Sequence, residues 1–330
     1  MFKIAVVGAT GNVGREILKC LYKSKINISS ISPFASRISC RKQIVFGSKN
    51  IDVLKMESFF YKNIDICFFA TNSEISKQYI NKIKKNCGLI IDLSSYYRMQ
   101  KYVPLIIPDV NAKMILNKNN NLISNPNCIV IPVCVALKPL HDFAEIKKIN
   151  IVTYQSISGG GRDAMIKLFN TTKRKLFCPL NNQNFKKSNV FNVVPLINDV
   201  LDNGYSFEEQ KIIKEIKKIL FSDIKIHITC VRVPVFIGHS IAISIEFTKK
   251  ISRQNVYNLL NKRNGIYLEG RNGEYFTPLE CVGQDCIFIS RIRQGSDKNS
   301  LLLWVVCDNL RKGGAFNAIQ IAEKYIKEIS

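Results

Sequence analysis

No apolar run in this sequence approaches, without a charge breaking it, the roughly 18 residues that a membrane span requires. Acidic residues are also few: 25 Asp and Glu stand against 48 Lys and Arg, a formal net charge of +23. That excess alone would admit a nucleic-acid partner. The lysines, however, are spread along the chain among equally abundant Asn and Ile, with no aromatic-interleaved basic stripe and no known nucleic-acid motif. The charge reads as a solvated surface whose field helps draw in small anionic substrates. Neither a nucleic-acid nor a membrane partner is expected.

Histidine occurs three times, which leaves few candidates for a catalytic base. The eleven cysteines lack paired spacing. Only Cys281 and Cys286 lie close, and Cys-x4-Cys without a second pair or a neighbouring histidine is a poor zinc site. Reduced thiols, mostly buried as small hydrophobes, and no metal are expected. Met1-Phe2-Lys3-Ile4-Ala5-Val6 enters a strand-like run at once, so no leader peptide and a cytoplasmic location are expected. What remains is a chain of 330 residues, 46% hydrophobic, long enough for two domains and a sizeable core.

Residues 3–7 are a β-branched apolar run that ends in Gly8-Ala9-Thr10-Gly11-Asn12-Val13-Gly14, followed by an amphipathic helix with Ile17, Leu18 and Leu21 on one side. Strand, glycine turn and helix in that order are the setting of a dinucleotide fingerprint, although the spacing is G-x-x-G-x-x-G. The glycines permit a tight turn and close approach to a pyrophosphate resting on the helix N-terminus. An NAD site usually carries an acidic residue about 20 positions later, on the ribose 2′-hydroxyl. No Asp or Glu lies between Glu16 and Asp52, and Ser36-Arg37 stand where a 2′-phosphate would bind, so NADP (NADPH) is expected over NAD. Near-continuous apolar runs at 64–69, 89–93 and 105–108 suit further buried parallel strands, with a helix at 76–85 between them.

The centre of the sequence is Ile123-Ser124-Asn125-Pro126-Asn127-Cys128-Ile129-Val130. A strand end, a tight turn and then a cysteine at the start of an apolar helical segment make Cys128 a candidate nucleophile, because unpaired N–H groups and the helix dipole favour thiolate. Beyond it lie an alternating strand leading to Thr153-Tyr154-Gln155, a turn at 158–162 and an amphipathic helix at 207–220. Strands are expected at 226–235, 240–248, 286–293 and 301–307, a mixed sheet with helices, and a last helix at 316–326. The fold class is therefore α/β: a Rossmann-like NADP-binding domain followed by an α+β catalytic and dimerisation domain with a mixed sheet. His141 and His227 read as structural. His239 sits at a glycine-marked turn in Gly238-His239-Ser240, well placed to act, and Arg232 can hold a carboxylate with two hydrogen bonds.

With these elements in order, the chain resembles the aspartate-β-semialdehyde dehydrogenases over its full length. The likeness is carried by the 8–14 fingerprint, Asp92-Leu93-Ser94-Ser95-Tyr96-Tyr97-Arg98-Met99, Ser124-Asn125-Pro126-Asn127-Cys128, Thr153-Tyr154-Gln155, the 232–240 stretch and the 308–314 stretch. The resemblance implies reduction of β-aspartyl phosphate with NADPH to aspartate semialdehyde, with release of inorganic phosphate, on the route to lysine (via diaminopimelate), threonine and methionine. It implies that Cys128 forms a thioester and that His239 is the acid/base. Gln155 would position the substrate, Arg232 would bind its α-carboxylate, and Glu208 its α-amino group. Arg98 and Lys211 would bind phosphate, and Thr10, Gly11, Asn12, Val13, Ser36, Arg37, Ser158, Gly159 and Asn309 the cofactor. Glu208 and Lys211, three apart on a helix, would equally suit a surface ion pair. The likeness further implies a domain 1–127 completed by a C-terminal helix at 308–330, a second domain 128–307, and a homodimer or a dimer of dimers through that second domain. In 158–162 an extra glycine breaks the alternation of small residues found in the family. The N-acetyl-glutamyl-phosphate reductases share the two-domain logic but have glycine at the position of Asn127.

Overall fold

The computed structural model describes residues 1–36, 42–61, 63–116, 121–177, 187–269 and 273–329. It separates into two units, Met1–Asn127 with Gly313–Ser330, and Cys128–Lys312.

In the first unit the opening strand β1 (Phe2–Val7) is followed by α1 (Asn12–Lys23), β2 (Ile28–Ala35), a two-stranded ribbon of β3 (Gln43–Phe46) and β4 (Lys49–Asp52), and the short β5 (Leu54–Lys55). Next come β6 (Ile64–Phe69), α2 (Ser73–Ile83), β7 (Cys87–Asp92), α3 (Pro108–Asn111) and β8 (Leu122–Ser124). The sheet order is β5-β2-β1-β6-β7-β8 and every pairing is parallel. Alternation along β1 explains why both faces are apolar. Ile4 and Val6 pack with Ile17 and Leu21 of α1 and with Ile319 and Ala322 of the C-terminal helix Phe316–Ile329. Ala5 and Val7 pack on the other face with Ile80 and Ile83 of α2. A fully buried Ile or Val is worth about 1.5–3 kcal/mol, so each covering helix contributes strongly. The strand expected at 105–108 does not form. Leu105 makes a single bridge to Ser124, and Pro108 opens α3, where its missing N–H costs nothing.

The second unit begins with α4 (Val130–Ala144), apolar nearly all round and buried accordingly. Pro139 inside it has no N–H to give the carbonyl four residues back, a loss tolerated within a packed helix. Then follow β9 (Ile146–Gln155), α5 (Arg162–Phe177), α6 (Phe207–Leu220), β10 (Lys225–Arg232), β11 (His239–Phe247), α7 (Arg253–Leu260), β12 (Ile266–Leu268), α8 (Pro278–Cys281), β13 (Ile287–Gln294) and β14 (Ser300–Cys307). The sheet is mixed, in the order β10-β9-β11-β14-β13-β12. β9 and β10 run parallel, whereas β11 is antiparallel to both β9 and β14. Consequently β9, β10 and β14 all end, and β11 begins, at one edge. Gln155, Arg232, His239 and Cys307 are carried there together.

A π-helical turn, Arg311–Ala315, precedes the C-terminal helix, so regular α-helix starts at Phe316, as the amphipathic pattern indicates, and later than the 308 that the family resemblance implies.

Candidate active site

Cys128 stands in the turn two residues before α4, half-buried, with its Sγ 3.4 Å from Nε2 of His239. His239 is the first residue of β11 and is fully buried. The turn before it needs Gly238, whose φ of +95° is left-handed and whose added Cβ would lie 2.8 Å from Cβ of Pro278. Arg232 closes β10, opposite Gln155 in register. Its Nη1 donates to the Ser156 carbonyl at 2.7 Å, and it lies close enough to Cys128 and Glu208 to feel both electrostatically. Gly159 lies beside Arg232 and His239, with an added Cβ 3.1 Å from Arg232 Nη1 and 3.7 Å from His239 Nε2. Thr153 Oγ1 donates to Gln155 Oε1 at 3.0 Å, which orients the buried amide.

Burial, and next the Arg232 guanidinium, push the His239 pKa down to about 3, with the Gly238 backbone opposing weakly. The imidazole is therefore neutral at physiological pH. Arg232 itself is lowered by burial, while Cys128, Glu208 and Cys230 pull it up again. Glu208, in the first turn of α6, accepts from Asn198 Nδ2 at 3.4 Å and lies 3.8 Å from Lys211 Nζ. The carboxylate and ammonium thus adopt the i,i+3 pairing that their spacing allows. Ser158 and Asn309 hydrogen-bond to each other, Asn309 Nδ2 donating to Ser158 Oγ at 2.9 Å.

The first unit holds the other predicted residues. Thr10, Gly11 and Ser36 line a cavity of about 560 Å³, together with Gly8, Thr71 and Glu57. Gly8 has φ +81° and its Cβ would fall 2.2 Å from the Ala70 carbonyl oxygen, while a Cβ on Gly14 would fall 2.1 Å from that of Gly8. Those two glycines are demanded by the chain itself. Gly11 is not, since its Cβ would meet nothing nearer than 3.4 Å, yet it caps α1 with no side-chain hydrogen bond. An uncrowded glycine at an uncapped helix start leaves amides and space for a phosphate group. The residues present thus fit a dinucleotide. Asn12 and Val13 form the first turn of α1, and Arg37 lies outside the described residues. Arg98 is buried and donates from Nη2 to the Leu93 carbonyl at 2.8 Å. Among the described residues no group of His, Cys, Asp and Glu is arranged to hold a metal ion, and no helix is long and apolar enough to cross a membrane.

Comparison with known proteins follows the same division. The family described as "Semialdehyde dehydrogenase, NAD binding domain" matches residues 3–118, and "Semialdehyde dehydrogenase, dimerisation domain" matches residues 137–312. The chain is 44% identical over 330 residues to the aspartate-semialdehyde dehydrogenase of Rickettsia conorii, covering 98% of each. The chain belongs to the aspartate-semialdehyde dehydrogenase family. A relative from Aquifex aeolicus is 39% identical, with 99% of this chain and 98% of the relative covered. The crystal structure of aspartate semialdehyde dehydrogenase II from Vibrio cholerae, complexed with ASA, superposes with a TM-score of 0.95 at 35% identity, covering 100% of this chain and 99% of that one. The protein is thus an oxidoreductase with a two-domain α/β fold and a nicotinamide-cofactor domain.

Neither family likeness nor residue chemistry gave a role to three positions. Ser156, fully buried, donates its N–H to His239 Nδ1 at 3.0 Å and lends its carbonyl to Arg232. Its only trace in the sequence is its place directly after Gln155. Glu209 completes a capping box with Ser206 and also accepts the Cys230 N–H at 2.9 Å, fixing α6 to β10. Asp92 is buried at the end of β7, where Ser76 and Ser94 donate to it at 2.8–3.1 Å. Burial raises its pKa, and those donors oppose the rise. It braces the turn that leads to Arg98.

Proposed function

We propose that this enzyme carries out the NADPH-dependent reductive dephosphorylation of L-aspartyl 4-phosphate to L-aspartate 4-semialdehyde through a thioester on Cys128, in lysine, diaminopimelate, threonine and methionine biosynthesis. The observation that carries the reading is the 3.4 Å approach of Cys128 Sγ to His239 Nε2, beside an arginine fixed by the Ser156 carbonyl. The sulfur bonds to the acyl carbon as the bond to the phosphate oxygen breaks and phosphate leaves. When bound, the reduced nicotinamide supplies the hydride. The C–S bond then breaks, releasing aldehyde and restoring the sulfur, with His239 exchanging protons with sulfur and substrate oxygen.

Arg232 suits the α-carboxylate because its planar fork makes two parallel bonds. Glu208 suits the α-ammonium, Gln155 positions the substrate, and Arg98 and Lys211 bind phosphate. Thr10, Gly11, Asn12, Val13, Ser36 and Arg37 hold the cofactor's adenosine and diphosphate half, and Ser158, Gly159 and Asn309 its nicotinamide half. Preference for NADP over NAD is supported by Ser36 in the cavity and by the lack of an acidic side chain at the end of β2. The dimerisation family matched by residues 137–312 supports a homodimer, and the cytoplasm is the proposed location.

The test is phosphate-dependent oxidation of aspartate semialdehyde, followed at the nicotinamide absorbance, with NAD and N-acetylglutamate semialdehyde as comparisons. Turnover with the aspartyl compound and NADP, abolished in Cys128→Ala, is the expected result. Near-normal turnover in that variant would end the thioester reading, and preference for the acetylated compound would move the protein to the neighbouring reductases.

A further inference from the structure

His239 Nδ1 faces two groups of Ser156, the backbone N–H at 3.0 Å and the hydroxyl at 3.1 Å. The backbone N–H can only donate, so a proton on Nδ1 would confront it. The hydroxyl can either donate or accept, so the backbone N–H decides the state of Nδ1. The Gly238 N–H, again a pure donor, lies 2.9 Å from one terminal atom of the Asn309 amide and so identifies that atom as Oδ1. The other atom is then Nδ2, donating to Ser158 Oγ at 2.9 Å. Ser158 Oγ lies 3.0 Å from Ser156 Oγ, which lies 3.1 Å from Asn309 Oδ1. Ser158 Oγ lies 3.2 Å from the same oxygen, so the two serine hydroxyls and the Asn309 amide form one buried cluster around Oδ1, while the Ser156 backbone N–H is what makes Nδ1 an acceptor. All four residues are in the second unit, and Ser156, Ser158, His239 and Asn309 are each almost wholly buried.

We propose that Ser156 and Asn309 are positioning residues that hold His239 as its neutral Nε2–H tautomer, so that its hydrogen is aimed at the Cys128 sulfur. In the resting enzyme the imidazole is then a hydrogen-bond donor to the sulfur, and its proton exchange with sulfur and substrate runs through Nε2. Its Nε2 lone pair is not free, and a second proton on Nδ1 would meet the Ser156 N–H. The charged group beside the ring, Arg232, also opposes an imidazolium, and its own bond to the Ser156 carbonyl stiffens the same residue from the opposite side. Asn309 thereby gains a role beside its proposed cofactor contact. Its amide oxygen anchors Gly238, the residue just before His239, and its nitrogen orients the serine pair.

The inference deepens the proposed roles of Cys128 and His239, but its test needs no turnover. In protein labelled with ¹⁵N-histidine only, three side chains give signals, and His239→Gln identifies the one of interest. The wild-type enzyme is expected to show a protonated Nε2 and an unprotonated Nδ1 at neutral pH. An Nδ1–H tautomer or an imidazolium there would overturn the proposal without any variant having to fold. Ser156→Ala keeps the backbone N–H and is expected to keep the tautomer. A switch to Nδ1–H would mean the hydroxyl had set it, and the proposal would fall. Asn309→Ala is expected to mix the tautomers and, in the cofactor-free enzyme, slow alkylation of Cys128 by iodoacetamide roughly ten- to a hundredfold, the worth of a hydrogen bond to a charged group. Weakened NADPH binding with tautomer and alkylation unaltered would return Asn309 to a cofactor contact and overturn its positioning role. An active enzyme with Nδ1–H defeats this inference alone, whereas Nε2–H in a protein inert toward aspartate semialdehyde defeats the proposed reaction alone.

Discussion

Gln155 and Arg232 are partners in register at the ends of two parallel strands, and the residue after Gln155 supplies the carbonyl that holds the Arg232 guanidinium at 2.7 Å. The arginine is therefore fixed by the strand beside its own before any substrate arrives. Arg232→Lys keeps the charge but loses the planar fork and that anchor. We expect KM for the semialdehyde to rise at least tenfold, an order-of-magnitude figure for a lost bidentate contact, with cofactor affinity unchanged. Steady-state kinetics at varied semialdehyde and fixed NADP measures it, and an unaltered KM would remove Arg232 from substrate binding.

The three glycines of the first turn should separate by phenotype. Gly8→Ala and Gly14→Ala place a Cβ at 2.2 and 2.1 Å from backbone oxygens, and each should cost roughly 1–3 kcal/mol or more in stability. Gly11→Ala should melt like the wild type but bind NADPH more weakly. Thermal melting and a dinucleotide titration on the three variants decide between a steric and a ligand-binding need for each position.

Glu209 gives a prediction about stability rather than chemistry. β10 is an edge strand, and the Cys230 N–H on it is satisfied by the Glu209 carboxylate instead of by another strand. Glu209→Ala removes that acceptor and half of the capping box at Ser206. The expected loss is about 1–3 kcal/mol, with a matching fall in the denaturation midpoint. Glu208→Ala, next door, should instead spare stability and impair the reaction.

Acid should unfold the second unit early. His239 has a folded pKa of about 3 against 6.5 when free, so the unfolded chain binds the extra proton first. Its contribution is fully present above pH 6.5 and is lost as pH falls toward 3, on the order of a few kcal/mol for a wholly buried group. Urea midpoints between pH 7 and pH 4 should drop less steeply in His239→Gln than in the wild type. Parallel slopes would mean that the ring is solvated.

Local chemistry explains what could be read from the chain. The strand–glycine–helix start was legible because φ and close approach at Gly8 and Gly14 are local demands, and α4 because a helix apolar nearly all round must be buried. Cys128, Arg232 and His239 stood out as reactive or charged types beside turns. The strand expected at 105–108 failed because apolar character marks burial, not pairing, and Pro108 turned the chain. Ser156 stayed hidden because its backbone atoms do the work, and a backbone N–H has no residue signature. The sense of Asn309 could not be read either. Its amide is oriented by Gly238 and two serines more than 70 residues away.

The meeting of four strand termini at one edge of the second sheet has a bearing on how the molecule is made. Gln155, the neighbouring Arg232 and His239, and Cys307 lie far apart in the chain as three groups, and the partners of β11 include the late strand β14. A growing polypeptide released before β14 cannot close that edge, and Asn309 is later still. The surroundings of the sulfur and its imidazole are therefore complete only after nearly the whole chain has been synthesised. Recovery of fast, selective labelling at Cys128 during refolding would then serve as a clock for the completion of the sheet.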